Sequence, residues 1–154
     1  MKYSFLIVLF ILLTSTAQAS YCSGKNWQDT YQFYTQNIDL LNDHIDRYNT
    51  LLSKISLSDI DDDKQKLFII TSAINDLDQL NIDVEILERK FDSAQQLWQL
   101  ISEHCLDDGE ADYNRKAIEN ARGADIGRTE VYDLLSRITS LRIHFFQVVE
   151  LIDY

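Results

Sequence analysis

The residues that could do chemistry in this chain are three histidines, two cysteines and a surplus of carboxylates, 25 Asp and Glu against 14 Lys and Arg. Histidines on facing helices can hold a metal ion, and nearby carboxylates can complete such a site. His44, His104 and His144 each stand one residue before a position of an apolar helical repeat, namely Ile45, Cys105 and Phe145. That spacing puts all three on the flanks of helices. In an antiparallel arrangement His104 falls near one end, His44 lies about 27 Å along the first helix, and His144 sits further still along the last. Side chains so separated cannot converge on one ion. Glu-x-x-His, His-Glu-x-x-His and Cys-x-x-Cys-His do not occur either, so neither a metal ion nor any other cofactor is expected.

Asp59, Asp61 and Asp63 imitate the first three ligand positions of a calcium loop. Lys64 then stands where the sharp turn needs glycine, and Ile70 where the bidentate glutamate belongs. Together with Ser58 and Asp62, the same acids suit a helix N-terminus, through capping and through the helix dipole. There is no Gly-x-Ser-x-Gly elbow, phosphate-cradling glycine loop or dinucleotide fingerprint. No catalytic residue is therefore assigned, and the chain is not expected to be an enzyme.

Residues 1–19 have the order of a secretory signal: Lys2, an apolar run from Phe5 to Leu13, then the small-x-small triplet Ala17-Gln18-Ala19. The run is about half the roughly 20 residues that cross a bilayer as a helix. The expectation is a cleaved signal peptide and one mature domain over residues 20–154, without a transmembrane span, in the periplasm or secreted. In such an oxidising compartment Cys22 and Cys105 are expected to pair. Their bridge would close most of the mature chain into one loop, worth about 4.5 kcal/mol in the chain-entropy description.

The elements that must position these groups are legible as hydrophobic spacing. There is no proline and there are only four glycines, a composition that favours long helices. Trp27, Tyr31, Tyr34, Ile38, Leu41, Ile45, Tyr48, Leu52 and Ile55 recur at alternating intervals of four and three, a coiled-coil-like seam with Asn26 as a candidate cap. A second seam runs Leu67, Ile70, Ile74, Leu77, then Val84, Leu87, Phe91, Ala94, Trp98, Ile101 and Cys105. A slip in its register between Leu77 and Leu87 predicts a bend or break near Asn81. Leu106 to Glu110, with Gly109, reads as a short acidic turn. A weaker stripe, Tyr113, Ala117, Ala121 and Ala124, meets Gly123 and Gly127 among charged neighbours, which predicts a loop or kink. The last seam is Val131, Leu134, Ile138, Leu141, Phe145, Val148 and Ile152.

These patterns predict an all-α fold, an antiparallel up-down bundle of three to four long helices with coiled-coil-like packing and one disulfide. The topology brings Cys22 and Cys105 to one end, beneath an aromatic layer of Trp27, Tyr31, Tyr34 and Trp98.

Removing residues 1–19 takes away one base, Lys2, and no acid, so 13 bases face 25 acids and the mature charge is −12. Such a surface repels nucleic acid and anionic membranes. The leading expectation is an exported, non-enzymatic binding protein, an acidic inhibitor or immunity-type protein that docks a cationic cell-wall hydrolase or toxin. Its expected contact residues are the acids at the helix ends, Asp59, Asp61, Asp62 and Asp63 with Asp107, Asp108, Glu110 and Asp112. Phe33, an aromatic off the first seam, joins them. The competing expectation is a structural, adaptor or chaperone-like coiled-coil component of the cell envelope, monomeric or dimeric.

Overall fold

The computed structural model describes residues 21–54 and 62–152. They form three helices, α1 (Lys25–Lys54), α2 (Asp63–Asp107) and α3 (Ala111–Ile152). Helices α2 and α3 make a long antiparallel hairpin, and α1 lies along it, chiefly against α2. The bundle is all-α and carries the Cys22–Cys105 disulfide, with the two Cα atoms 5.4 Å apart. The segment 1–19 read as a signal peptide lies outside the described residues, as do Asp59 and Asp61.

The ends of α2 follow from local chemistry. Asp62 is extended (φ −84°, ψ 115°), and its carboxylate accepts from the Lys64 backbone N–H at 3.0 Å, which satisfies one of the helix's orphan donors. At the other end Glu110 N donates to Cys105 O at 2.8 Å and Gly109 N to Leu106 O at 3.1 Å. This is a Schellman closure, and Gly109 supplies the left-handed residue it requires, with φ +76°. Asn114 then reaches back across the turn, its side-chain amide donating to Ser102 O at 2.8 Å and to Ser102 Oγ at 2.9 Å.

Above the turn, polar rungs mark the hairpin register: Arg128 to Asp92 at 3.2 Å, Tyr132 to Glu88 at 2.9 Å and Arg142 to Asp78 at 2.6 Å. Partly exposed rungs of this kind contribute little each, so most of the hairpin's stability comes from the apolar seam between the helices. On α2 that seam is Ile70, Ala73, Leu77, Leu80, Val84, Leu87, Phe91, Ala94, Trp98, Ile101 and Cys105, all buried. With Ala73 in register beside Ile74, and Leu80 fully buried, the intervals of three and four continue without a slip. The expected break near Asn81 does not occur.

The expected loop or kink at Gly123 and Gly127 is also corrected, because α3 is one continuous helix from Ala111 to Ile152. Gly127 is a seam position, three residues after Ala124 and four before Val131. A β-carbon there would lie 2.4 Å from Phe91 Cε1, and one at Gly123 would lie 2.6 Å from the Tyr34 hydroxyl. The missing side chains make room for aromatic rings from α2 and α1. Bulk on one pair of helices is matched by Ala117, Ala121, Ala124 and Gly127 on the third.

The inward face of α1 keeps most of the expected seam, with Ile38 and Ile45 packed against the core, but is wider on one side. Trp27, Tyr34, Leu41 and Tyr48 face inward, but the positions that alternate with them are Thr30, Asn37 and His44, which are buried, and Leu51, which packs against the core. Tyr31 is 51% exposed and Leu52 42% exposed. The position of α2 covers the flank of Thr30, Asn37 and His44, so the buried face of α1 takes in a polar stripe. Asn37 makes that stripe tolerable by donating to the Lys90 carbonyl at 3.2 Å.

Around the disulfide a second, smaller core forms from Cys22, Trp98, Ile101, Cys105, Ala117 and Ala121. Trp27 meets Trp98 edge to face at 4.9 Å and Tyr113 at 5.4 Å. Tyr113 thus takes the place in the aromatic layer that was expected of Tyr31 and Tyr34. Tyr34 sits higher, against Gly123, where burial raises its pKa above the ordinary phenol value.

Candidate functional site

Between α1 and α2 runs a groove that no α3 residue lines. Its lower part, of about 350 Å³, is formed by Tyr21, Asn26, Asp29, Thr30 and Phe33 from the α1 side with Leu97, Leu100 and Ile101 from α2. Its upper part, of about 540 Å³, is formed by Asp43, Asp46, Arg47, Thr50 and Leu51 with Asp76 and Gln79. The two parts share no lining residue but lie on one face of the helix pair. Phe33, Leu40 and Arg47 are successive heptad positions of α1, while Leu97, Lys90, Asp83 and Asp76 are successive heptad positions of α2, so they follow the same helical stripes.

The chemistry changes along the groove. The lower part is apolar and leaves Tyr21, Leu97 and Leu100 each about two-fifths exposed. Thr30 lines it too, only 6% exposed. In the upper part Arg47 is committed to Asp83 across the helix pair, at 2.8 Å. Asp43, Asp46 and Asp76 make no ion pair among the described residues, so the upper groove carries three uncompensated carboxylates.

His44 lies beneath this surface at 8% exposure, with Arg47 Nη1 3.4 Å from its Nδ1. Burial pushes its pKa below the ordinary 6.5 and Arg47 reinforces the shift, against the opposing pull of Asp83 and Asp43. The Arg47 hydrogen bond holds the Asp83 carboxyl below its usual range, with Gln79 assisting. His104 is elsewhere, its ring 4.4 Å from that of Tyr21, and His144 lies beside Tyr48 and Arg137 on the opposite side of α1. Among the described residues no three His, Cys, Asp or Glu side chains are placed to hold a metal ion. No helix among them is long and apolar enough to cross a membrane.

The acids expected to contact a partner lie at opposite ends of α2, about 66 Å apart at helical rise. Asp62 caps the helix and Asp63 pairs with Lys66 at 3.4 Å. At the other end Asp108 closes α2, its N–H donating to His104 O, and Asp112 pairs with Arg115 at 3.3 Å. Asp107 and Glu110 are exposed at the turn. The fold does not bring the two sets together. Phe33 is part of the groove, half-buried against the main core. Asp43, Asp46 and Asp76 were not singled out by sequence reasoning, because they meet only when α1 and α2 are laid side by side.

No family model matches the chain, and neither a curated protein nor a solved structure does.

Proposed function

We propose that the protein is exported and acts without catalysis, as an acidic inhibitor or immunity-type protein that docks a cationic cell-wall hydrolase or toxin. The observation that carries the reading is the α1–α2 groove, where Asp43, Asp46 and Asp76, without an ion pair among the described residues, lie on the same face as the exposed apolar side chains nearer the disulfide. Carboxylates without internal partners attract and orient a basic surface, and the apolar stretch supplies the anchor that charge alone does not. The disulfide suits an extracellular or periplasmic setting. The test is to titrate basic cell-wall hydrolases with the mature protein. Saturable loss of activity at near-stoichiometric concentration supports the reading, and full activity across such a panel, with no complex formed, counts against it.

A different feature favours the adaptor reading. At the end of the hairpin far from the disulfide, Phe68 and Leu151 are 74% and 79% exposed, and Phe146 is about half exposed. Large apolar side chains gathered at one end suit contact with another helical chain. Light scattering tests the self-assembling form of this reading: a strictly monomeric protein removes it, and a dimer or larger assembly supports it.

A further inference from the structure

We propose that the occupant of the α1–α2 groove is a basic amphipathic helix of the partner, its apolar end toward the disulfide and its Lys and Arg residues toward Asp76. This rests on the cationic-partner reading and specifies what that partner presents. The exposed apolar positions on α2, Leu100, Leu97 and Ile86, follow heptad stripes, so they offer knobs and holes at helical spacing. Strand addition would instead need a free sheet edge, and the described residues contain no strand. The centres of the two parts are about 17 residues apart along α1, roughly 25 Å at helical rise. A helix of about 20 to 25 residues spans both.

The order of chemistry along the groove fixes the direction. Going up the α2 stripe, Leu97 is followed by Lys90 and then by Asp83 and Asp76. Lys90 excludes a cation from the middle, and Arg47 is already bound to Asp83, so the unpaired acids above are where incoming bases find partners. Below, Phe33, Leu97, Leu100 and Ile101 give the recess its apolar side, which receives the apolar end of the guest helix.

The experiment uses the disulfide-bonded mature protein and two synthetic helical peptides of identical composition. One has an apolar section followed by a basic section; the other has the same residues with the bases spread evenly. Affinity is read by fluorescence anisotropy. The segregated peptide is expected to bind at least tenfold more tightly. Asp43→Asn, Asp46→Asn and Asp76→Asn together should weaken it about tenfold, and Leu97→Ser with Leu100→Ser should do the same. The control triple Asp107→Asn, Glu110→Gln and Asp112→Asn should change it less than threefold. Equal binding of the two peptides, or equal loss in both charge triples, overturns the groove assignment while leaving a cationic partner in place. Failure of both peptides and of basic proteins to bind removes the cationic partner as well.

Discussion

The ring of Phe91 on α2 occupies the space that a β-carbon at Gly127 on α3 would need, with Cε1 2.4 Å from that position. Phe91 is fully buried, so its ring cannot swing aside without opening the core. Gly127→Ala is therefore expected to destabilise by about 1–2 kcal/mol, an overpacking cost of about 1–3 kcal/mol offset in part by alanine's better helix propensity. Gly123→Ala meets only the hydroxyl end of the half-buried Tyr34, which can shift, and should lie within about 0.5 kcal/mol of neutral. Urea unfolding of the two variants checks the contrast. Equal effects would mean that Phe91 and Gly127 are not in close contact.

Gly127 carries two opposed signals in the sequence. Its intervals to Ala124 and Val131 continue the seam, but a glycine between charged residues carries the stronger local signal of a breaker. Close approach of a ring is a tertiary fact that outweighs propensity. The α1 seam was ambiguous for a related reason. Trp27, Tyr34, Leu41 and Tyr48 are common to two stripes, and only the position of α2 decides that Thr30, Asn37 and His44 are buried beside them, while Ile38 and Ile45 are partly covered against the core and Tyr31 is exposed. The helical bundle was legible because periodicity specifies it, and the cysteine pairing because the two cysteines fall at the same end of neighbouring helices.

The groove was legible in principle. From Cys22 to Asn37 is fifteen residues up α1, and from Cys105 to Lys90, which Asn37 contacts, is fifteen down α2. The disulfide thus sets the register of the helix pair, and extending it places Arg47 within a turn of its partner Asp83. Reading the acids as clusters along the chain, rather than as neighbours across this register, directed attention to the helix ends.

The disulfide ties the foot of α1 to the end of α2, and α1 has fewer contacts of its own than the hairpin beneath it. Reduction, or Cys22→Ser with Cys105→Ser, should cost about 4 kcal/mol, lowering the Tm by roughly 10–20 °C. Thermal unfolding followed by circular dichroism, with and without reductant, reads this directly. An unchanged Tm would mean that the bridge adds nothing to the docking of α1.

His44 makes the seating of α1 sensitive to acid. Its pKa is lowered in the folded state, so between that value and the ordinary 6.5 the unfolded chain binds a proton that the folded chain does not. Stability is then complete above about pH 6.5 and falls as pH drops toward the folded pKa, by up to about 1.4 kcal/mol for each unit of depression. The groups that face His44 are Asp43 and Arg47 on its own helix and Asp83 and Lys90 on α2. The urea midpoint should fall between about pH 7.5 and 5.5, and His44→Leu should remove most of that fall. A wild-type midpoint that is flat over this range would show that His44 is protonated equally well in both states.

On the cationic-partner proposal, the acids of the α1–α2 groove that lack an ion pair among the described residues, rather than the protein's overall negative charge, receive the partner. The most direct measurement is the salt dependence of affinity for a basic lysozyme-type hydrolase, between about 50 and 300 mM salt, for the wild type and two variants of equal charge. One variant neutralises Asp43, Asp46 and Asp76, and the other neutralises Asp107, Glu110 and Asp112. The predicted result is a steep salt dependence that only the groove variant flattens, with about tenfold weaker binding at low salt. Parallel salt dependences for the two variants would contradict the claim, because the attraction would then belong to the whole surface.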